Sequence, residues 1–127
     1  MTRVLVIDDE KNLADTLVLI LQGAGFHATA AYNGDSALQS LDAVSPDIVI
    51  SDVIMPGMNG IDLCAKIQLR YPNCQILLFS GQAATNELVD EARTQGFRWE
   101  LLAKPIEPED LIAKLSSLTP RRESAGI

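Results

Sequence analysis

Five short apolar runs alternate along the chain with five stretches of helical period, and this alternation limits the possible folds more than any other feature of the sequence. RVLVI (3–7) is a β-branched run of buried-strand type. A helical pattern follows from about Asn12 to Gln22, with Leu13, Leu17, Ile20 and Leu21 on one side and Gly23 and Gly25 to close it. FHATAAY (26–32) is a second, weaker strand, and GDSALQSLDAV (34–44) is a helix ended by Ser45-Pro46. Asn33-Gly34 is a hairpin signal in other settings, but the period that follows it is helical, so it is a loop leading into that helix. DIVIS (47–51), the helix GIDLCAKIQLR (60–70) and QILLFS (75–80) come next, then a helix near Asn86 to Gln95 stopped by Gly96. ELLA (100–103) and the helix PEDLIAKLSSL (108–118), with Pro108 in its first turn, complete the set. The expected class is α/β, a parallel sheet with helices on both faces. Right-handed crossovers favour the doubly wound, flavodoxin-like (βα)5 arrangement of five strands in the order 2-1-3-4-5.

A chain of 127 residues with 47% apolar and 21% charged residues suits one compact domain, expected over 1–119 with a short polar tail at 120–127. The formal net charge of −7 disfavours direct contact with a nucleic-acid backbone. The apolar run at the N-terminus is too short for a secretory leader or a membrane span, so the expected setting is cytoplasmic and membrane-free. Cys64 and Cys74 lack metal-ligand spacing and are expected to be small buried hydrophobes, and His27 takes a polar position on a strand.

In a doubly wound sheet, ligands bind outside the C-terminal ends of the strands. Here those ends carry Asp8-Asp9, Asp52, Ser80 and Lys104-Pro105. Neighbouring carboxylates repel and call for a counter-charge, and Mg²⁺ suits a site of carboxylates, waters and phosphate oxygens. One carboxylate could then attack phosphorus while Lys104 and the Ser80 hydroxyl hold the moving oxygens. Singly, each residue has an ordinary reading: the acids as helix caps, Ser80-Gly81 as a turn, Lys104-Pro105 as a loop. Together, that reading needs a coincidence at four strand ends.

The set VLVIDDE, DIVISDVIMPGMNG, ILLFSG and LLAKP, in this order and spacing and with YNGDSAL before the second helix, resembles the receiver domain of two-component response regulators, over about Arg3 to Leu118. The resemblance implies that Asp52 is the phosphoacceptor, charged by a histidine kinase or phosphotransfer protein. It also implies that Mg²⁺ is ligated by Asp9, Asp52 and the main-chain carbonyl of Ile54, with Asp8 acting mainly through water. Ser80 and Lys104 would contact the phosphoryl oxygens. Such a chain is a phosphoacceptor that assists its own phosphorylation and autodephosphorylation rather than an enzyme. An unknown downstream protein would read the face made by the fourth helix, fifth strand and fifth helix, and self-association on phosphorylation is a further expectation. With no output domain in the sequence, output would pass through another protein unless this is a fragment of a longer regulator.

The chain departs from the family at Leu101, three residues before Lys104, where receivers usually carry Tyr or Phe; Leu101 has no ring to rotate. Trp99 is expected to pack on its own loop, a partner-binding anchor being the alternative. Met55 is expected to pack under the site, and Phe79 to be core. Ile54 and Gln82 would flank the path of an attacking water, and an apolar Ile54 implies slow autodephosphorylation. The first rival reading is an adaptor that works without phosphorylation. The second, a phosphatase of the haloacid-dehalogenase type, needs an Asp-x-Asp pair that neither DDEKN nor DVIMP supplies.

Overall fold

A computed structural model describes residues 2–57, 59–81, 85–97 and 99–118, with only the backbone of Thr85, Asn86 and Leu88. Met58, Gln82 and the expected tail at 120–127 lie outside the described residues. Strands and helices alternate as β1 (Arg3–Ile7), α1 (Lys11–Gly23), β2 (His27–Ala31), α2 (Gly34–Val44), β3 (Ile48–Asp52), α3 (Gly60–Arg70), β4 (Gln75–Ser80), α4 (Thr85–Thr94), β5 (Glu100–Ala103) and α5 (Pro108–Leu118). All strand pairings are parallel, in the order β2-β1-β3-β4-β5. This is the expected doubly wound fold.

The two-residue period of the strands divides the core into two layers. Val4, Val6, Ile48, Ile50, Leu77 and Phe79 point to one side, where Leu17 and Leu21 of α1 and Leu111 and Leu115 of α5 cover them. Leu5, Ile7, Val49, Ile76 and Leu78 point to the other, under Leu41 of α2, Leu63 and Ile67 of α3 and Val89 of α4. Strands buried on both faces cannot alternate with polar residues, which explains the continuous apolar character of β1, β3 and β4. Cys64 and Cys74 are free and buried. Trp99 is 5% exposed. It stacks on Phe97 with centroids 4.6 Å apart, and its Nε1–H donates to Gln68 Oε1 of α3 at 2.9 Å. The ring therefore packs on its own loop, as expected, and is also held by a neighbouring helix.

Local signals set the element ends. Gly25, at φ +96°, follows the last turn of α1, and Ser45, at φ +47°, forms the left-handed cap of α2 before Pro46. Asp52 was expected just after the third strand, but it is the last residue of β3, paired with Phe79 of β4. Strand three therefore begins at Ile48, and Asp47 precedes it.

The return from β3 into α3 is unusually close. Asn59 caps α3, its Oδ1 accepting the Asp62 N–H at 2.8 Å. The Gly60 N–H donates to the Val53 carbonyl at 2.6 Å. A Cβ at position 60 would lie 2.0 Å from the Asp52 carbonyl oxygen and 2.9 Å from Val53 Cα. Only glycine allows the helix to start against the strand that carries Asp52. Gly60→Ala is expected to destabilise the fold by about 2 kcal/mol, the scale of a core overpacking defect. The matching fall in Tm is on the order of 5–10 °C for a domain of this size. A calorimetric melt within about 1 °C of the unsubstituted chain would refute the tight contact.

Candidate acidic functional site

The site forms because three parallel strands end side by side. Asp8 follows β1, and its N–H donates to the Ala31 carbonyl of β2 at 3.1 Å, so the residue continues the ladder for one step beyond the strand. Its side chain is fully buried. Oδ1 accepts the Glu10 N–H at 2.9 Å, which turns the chain toward α1 and aims Oδ2 inward. Asp8 is thus not a helix cap; the N-cap of α1 is Glu10, whose side chain makes no capping bond. Asp52 ends β3 in a buried position, and its Oδ1 accepts the Ile54 N–H at 3.4 Å. Asp9 is exposed, yet the carboxylates of Asp8, Asp9 and Asp52 each place an oxygen within 4.8 Å of the others.

Lys104 lies among these acids. Its backbone N–H donates to the Ser80 carbonyl at 3.1 Å, docking the end of β5 on the end of β4. Its Nζ donates to Asp8 Oδ2 and to Asp52 Oδ2 at 3.2 Å each, and stands 4.0 Å from Glu10 Oε1. The ammonium also lies 4.9 Å above the Phe79 ring, a cation–π contact that supports its stem from below. The peptide bond between Lys104 and Pro105 is cis. A cleft of about 600 Å³ opens over this cluster, lined by Asp9, Asp52, Ile54, Ser80 and Lys104 among others. All of the residues expected to build the site therefore meet in one place: Asp8, Asp52 and Lys104 in direct contact, with Asp9, Ser80 and Ile54 around the same cleft. Met55 is buried beside it, as expected, and Phe79 is buried in the core.

The electrostatics of the pair are asymmetric. Burial pushes the Asp52 carboxyl above its ordinary range, and the nearby Asp8 charge adds to this; the Lys104 ammonium pulls the other way without cancelling it. For Lys104, burial favours the neutral form, but Asp8 and Asp52 together hold the ammonium's pKa above its ordinary value. One cation thus serves two acids: its own charge is well compensated and that of Asp52 is not. The donor set fits a hard divalent cation, since all three side chains offer carboxylate oxygens and their charge exceeds what one ammonium neutralises.

Three contributors were not legible in the sequence. Glu10 stands in the acidic run DDE, but nothing in its neighbours places it near Lys104. Phe79 was expected as core alone, and its role under the ammonium depends on the register of β4 against β5. Gly60 belongs to the quoted motif, but its reason, the contact with the Asp52 carbonyl, is tertiary.

The response regulator receiver domain family matches residues 4–116. The chain is 31% identical over 121 residues to the DNA-binding response regulator MtrA of Mycolicibacterium smegmatis, covering 95% of this chain and 52% of that protein. It is 32% identical over 122 residues to the sensory transduction protein RegX3 of Mycobacterium bovis, with the same coverages of 95% and 52%. The chain therefore spans about half the length of the curated relatives it matches. Among solved structures it is similar to the chemotaxis protein CheY4 of Vibrio cholerae, with a TM-score of 0.84, 26% identity and coverage of 94% of this chain and 99% of that one. It is also similar to the response regulator protein TrrA of Thermotoga maritima in complex with Mg²⁺-BeF, with a TM-score of 0.81, 28% identity and coverage of 94% and 100%.

The raised Asp52 pKa has a consequence for stability. A carboxyl that binds its proton more tightly in the folded state than in the unfolded state makes the fold less stable as pH rises between the two values. Above the folded-state value the whole penalty is present. Asp52→Asn is therefore expected to raise the Tm of the cation-free protein at pH 7, with the advantage shrinking as pH falls toward 4. Calorimetric melts of both proteins across that range check this. A lower Tm for Asp52→Asn at pH 7 would mean that ionised Asp52 is net favourable.

Proposed function

This chain belongs to the response regulator receiver domain family, and from that membership we propose that it is a phosphorylation switch charged at Asp52 by a histidine kinase or phosphotransfer protein. The observation that carries this reading is the Lys104 ammonium 3.2 Å from Asp52 Oδ2, with the Asp8 and Asp9 carboxylates alongside. In the transfer, an Asp52 oxygen bonds to phosphorus as the donor's bond to phosphorus breaks. The new negative charge on the phosphoryl oxygens is met by the Lys104 ammonium and the Ser80 hydroxyl. Mg²⁺, held by Asp9, Asp52 and the Ile54 carbonyl with Asp8 acting through water, would neutralise the remaining charge. The switch domain is residues 1–119. It has no separate substrate to turn over, so it acts as a phosphoacceptor and not as a general phosphatase.

Phosphorylation at Asp52 draws Lys104 and Ser80 toward new charge, which changes the ends of β4 and β5 and the α4–β5–α5 face beyond them. A partner protein or a second copy of the chain would read that face. Leu101, half-buried on β5 where the family usually has an aromatic ring, supports the rival reading of an adaptor that works without phosphorylation. Among the described residues no helix is long and apolar enough to cross a membrane. MtrA is named as DNA-binding, which does not fit an expectation of no nucleic acid for a whole regulator of that kind. We keep that expectation for this acidic domain alone, at a net charge of −7.

Intact mass after incubation with acetyl phosphate tests the reading. One added phosphoryl group that requires both Mg²⁺ and Asp52, and is lost in Asp52→Asn, is the expected result. No addition would favour the adaptor. Ile54 is 40% exposed at the mouth of the cleft and offers no side-chain hydrogen bond to an attacking water. Ile54→Asn is expected to speed loss of the phosphoryl group by about tenfold, less than a full general base contributes because an amide only orients the water. A single-turnover dephosphorylation time course with an unchanged or slower rate would count against this role.

A further inference from the structure

Lys104 already occupies the electrostatic place of a cation. Its ammonium is bonded to Asp8 and Asp52, two of the three carboxylates that would receive a divalent ion. Two positive groups drawing on the same oxygens repel strongly at such range, so the ammonium opposes the ion until it moves off Asp8. It then needs another acceptor. Among the described residues, Glu10 is the remaining carboxylate paired with it, with Oε1 4.0 Å from Nζ.

The setting of Glu10 suits that task. Its backbone N–H is committed to Asp8, its side chain does not cap α1, and the side chain is 69% exposed and able to swing. It lines both the acidic cleft and a neighbouring apolar cleft of about 320 Å³, where Leu13, Leu17, Phe79 and Ile106 also border Lys104. We infer that Glu10 is a positioning residue for Lys104: it takes the ammonium at the rim of the cleft when a divalent cation claims Asp52 directly and Asp8 through water, and so favours cation binding through the lysine. This rests on the reading of the cleft as a Mg²⁺ site.

A double-mutant cycle on Mg²⁺ affinity, measured by titration calorimetry on the unphosphorylated chain, tests it. Glu10→Gln is expected to weaken Mg²⁺ binding about threefold, the scale of an exposed ion pair. Lys104→Met is expected to tighten it at least about fivefold by removing the competing charge. In the Lys104→Met background, Glu10→Gln should change affinity by less than about 1.5-fold, because a residue acting through the lysine has nothing left to act on. An equal effect of Glu10→Gln in both backgrounds would mean that Glu10 attracts the ion directly, and would overturn the inference, as would no effect in either. No Mg²⁺ binding by the unsubstituted chain would overturn the metal reading itself, and the inference with it. Lys104→Gln, with each variant checked by its circular dichroism melt, repeats the cycle should Lys104→Met fail to fold.

Discussion

Carboxylates on neighbouring strand ends repel one another, and a protein that gathers them must either supply positive charge or leave the cluster exposed to water. This chain does some of both. Asp8 is fully buried and tied to its own backbone, Asp9 is left in solvent, and Asp52 lies between the two extremes. The ammonium that partly offsets them comes from the loop after the edge strand β5. Its backbone position is fixed by the bond to the Ser80 carbonyl, so β4 and β5 must be paired before the charge can be met. The acidic cluster therefore depends on complete closure of the sheet on that side.

The scaffold beneath this arrangement is rigid for ordinary reasons. Both faces of β1, β3 and β4 are covered, and each apolar residue of those strands packs under a helix. Polar staples close the outer layers: Arg70 of α3 and Tyr71 just after it both reach Asp42 of α2, and Tyr32 joins Asp15 of α1 to the end of β2. Burial raises the thiol of Cys64 to about 12 and that of Cys74 to about 12, so both are protonated at neutral pH and behave as packing groups.

The fold was largely legible because it is written in local periods. The helices at Gly34–Val44, Gly60–Arg70 and Pro108–Leu118 and the strands at Arg3–Ile7 and Gln75–Ser80 fall where period and end signals put them. The small errors lie where a boundary is decided by a distant partner. Asp52 belongs to β3 only because it pairs with Phe79, and β2 runs over His27–Ala31 rather than the whole of FHATAAY because those are the residues that pair with Arg3–Ile7 of β1. The site residues were legible as a set because strand ends converge in any sheet of this topology. The contacts among them were not: that Lys104 bridges two acids, rests over Phe79 and reaches toward Glu10 follows from rotamers and register, which no short window of sequence contains.

The chain's single tryptophan has a consequence for optical work. Trp99 precedes β5, whereas Lys104 follows it, so the indole and the acidic cleft stand at opposite ends of the same strand. With its ring stacked on Phe97 and its N–H held by Gln68, the fluorophore gauges how that far edge is packed. Its emission is therefore a natural gauge of unfolding and a poor one of what the carboxylates hold. A dye or a second indole near Ile54 would be needed to make the cleft visible to light.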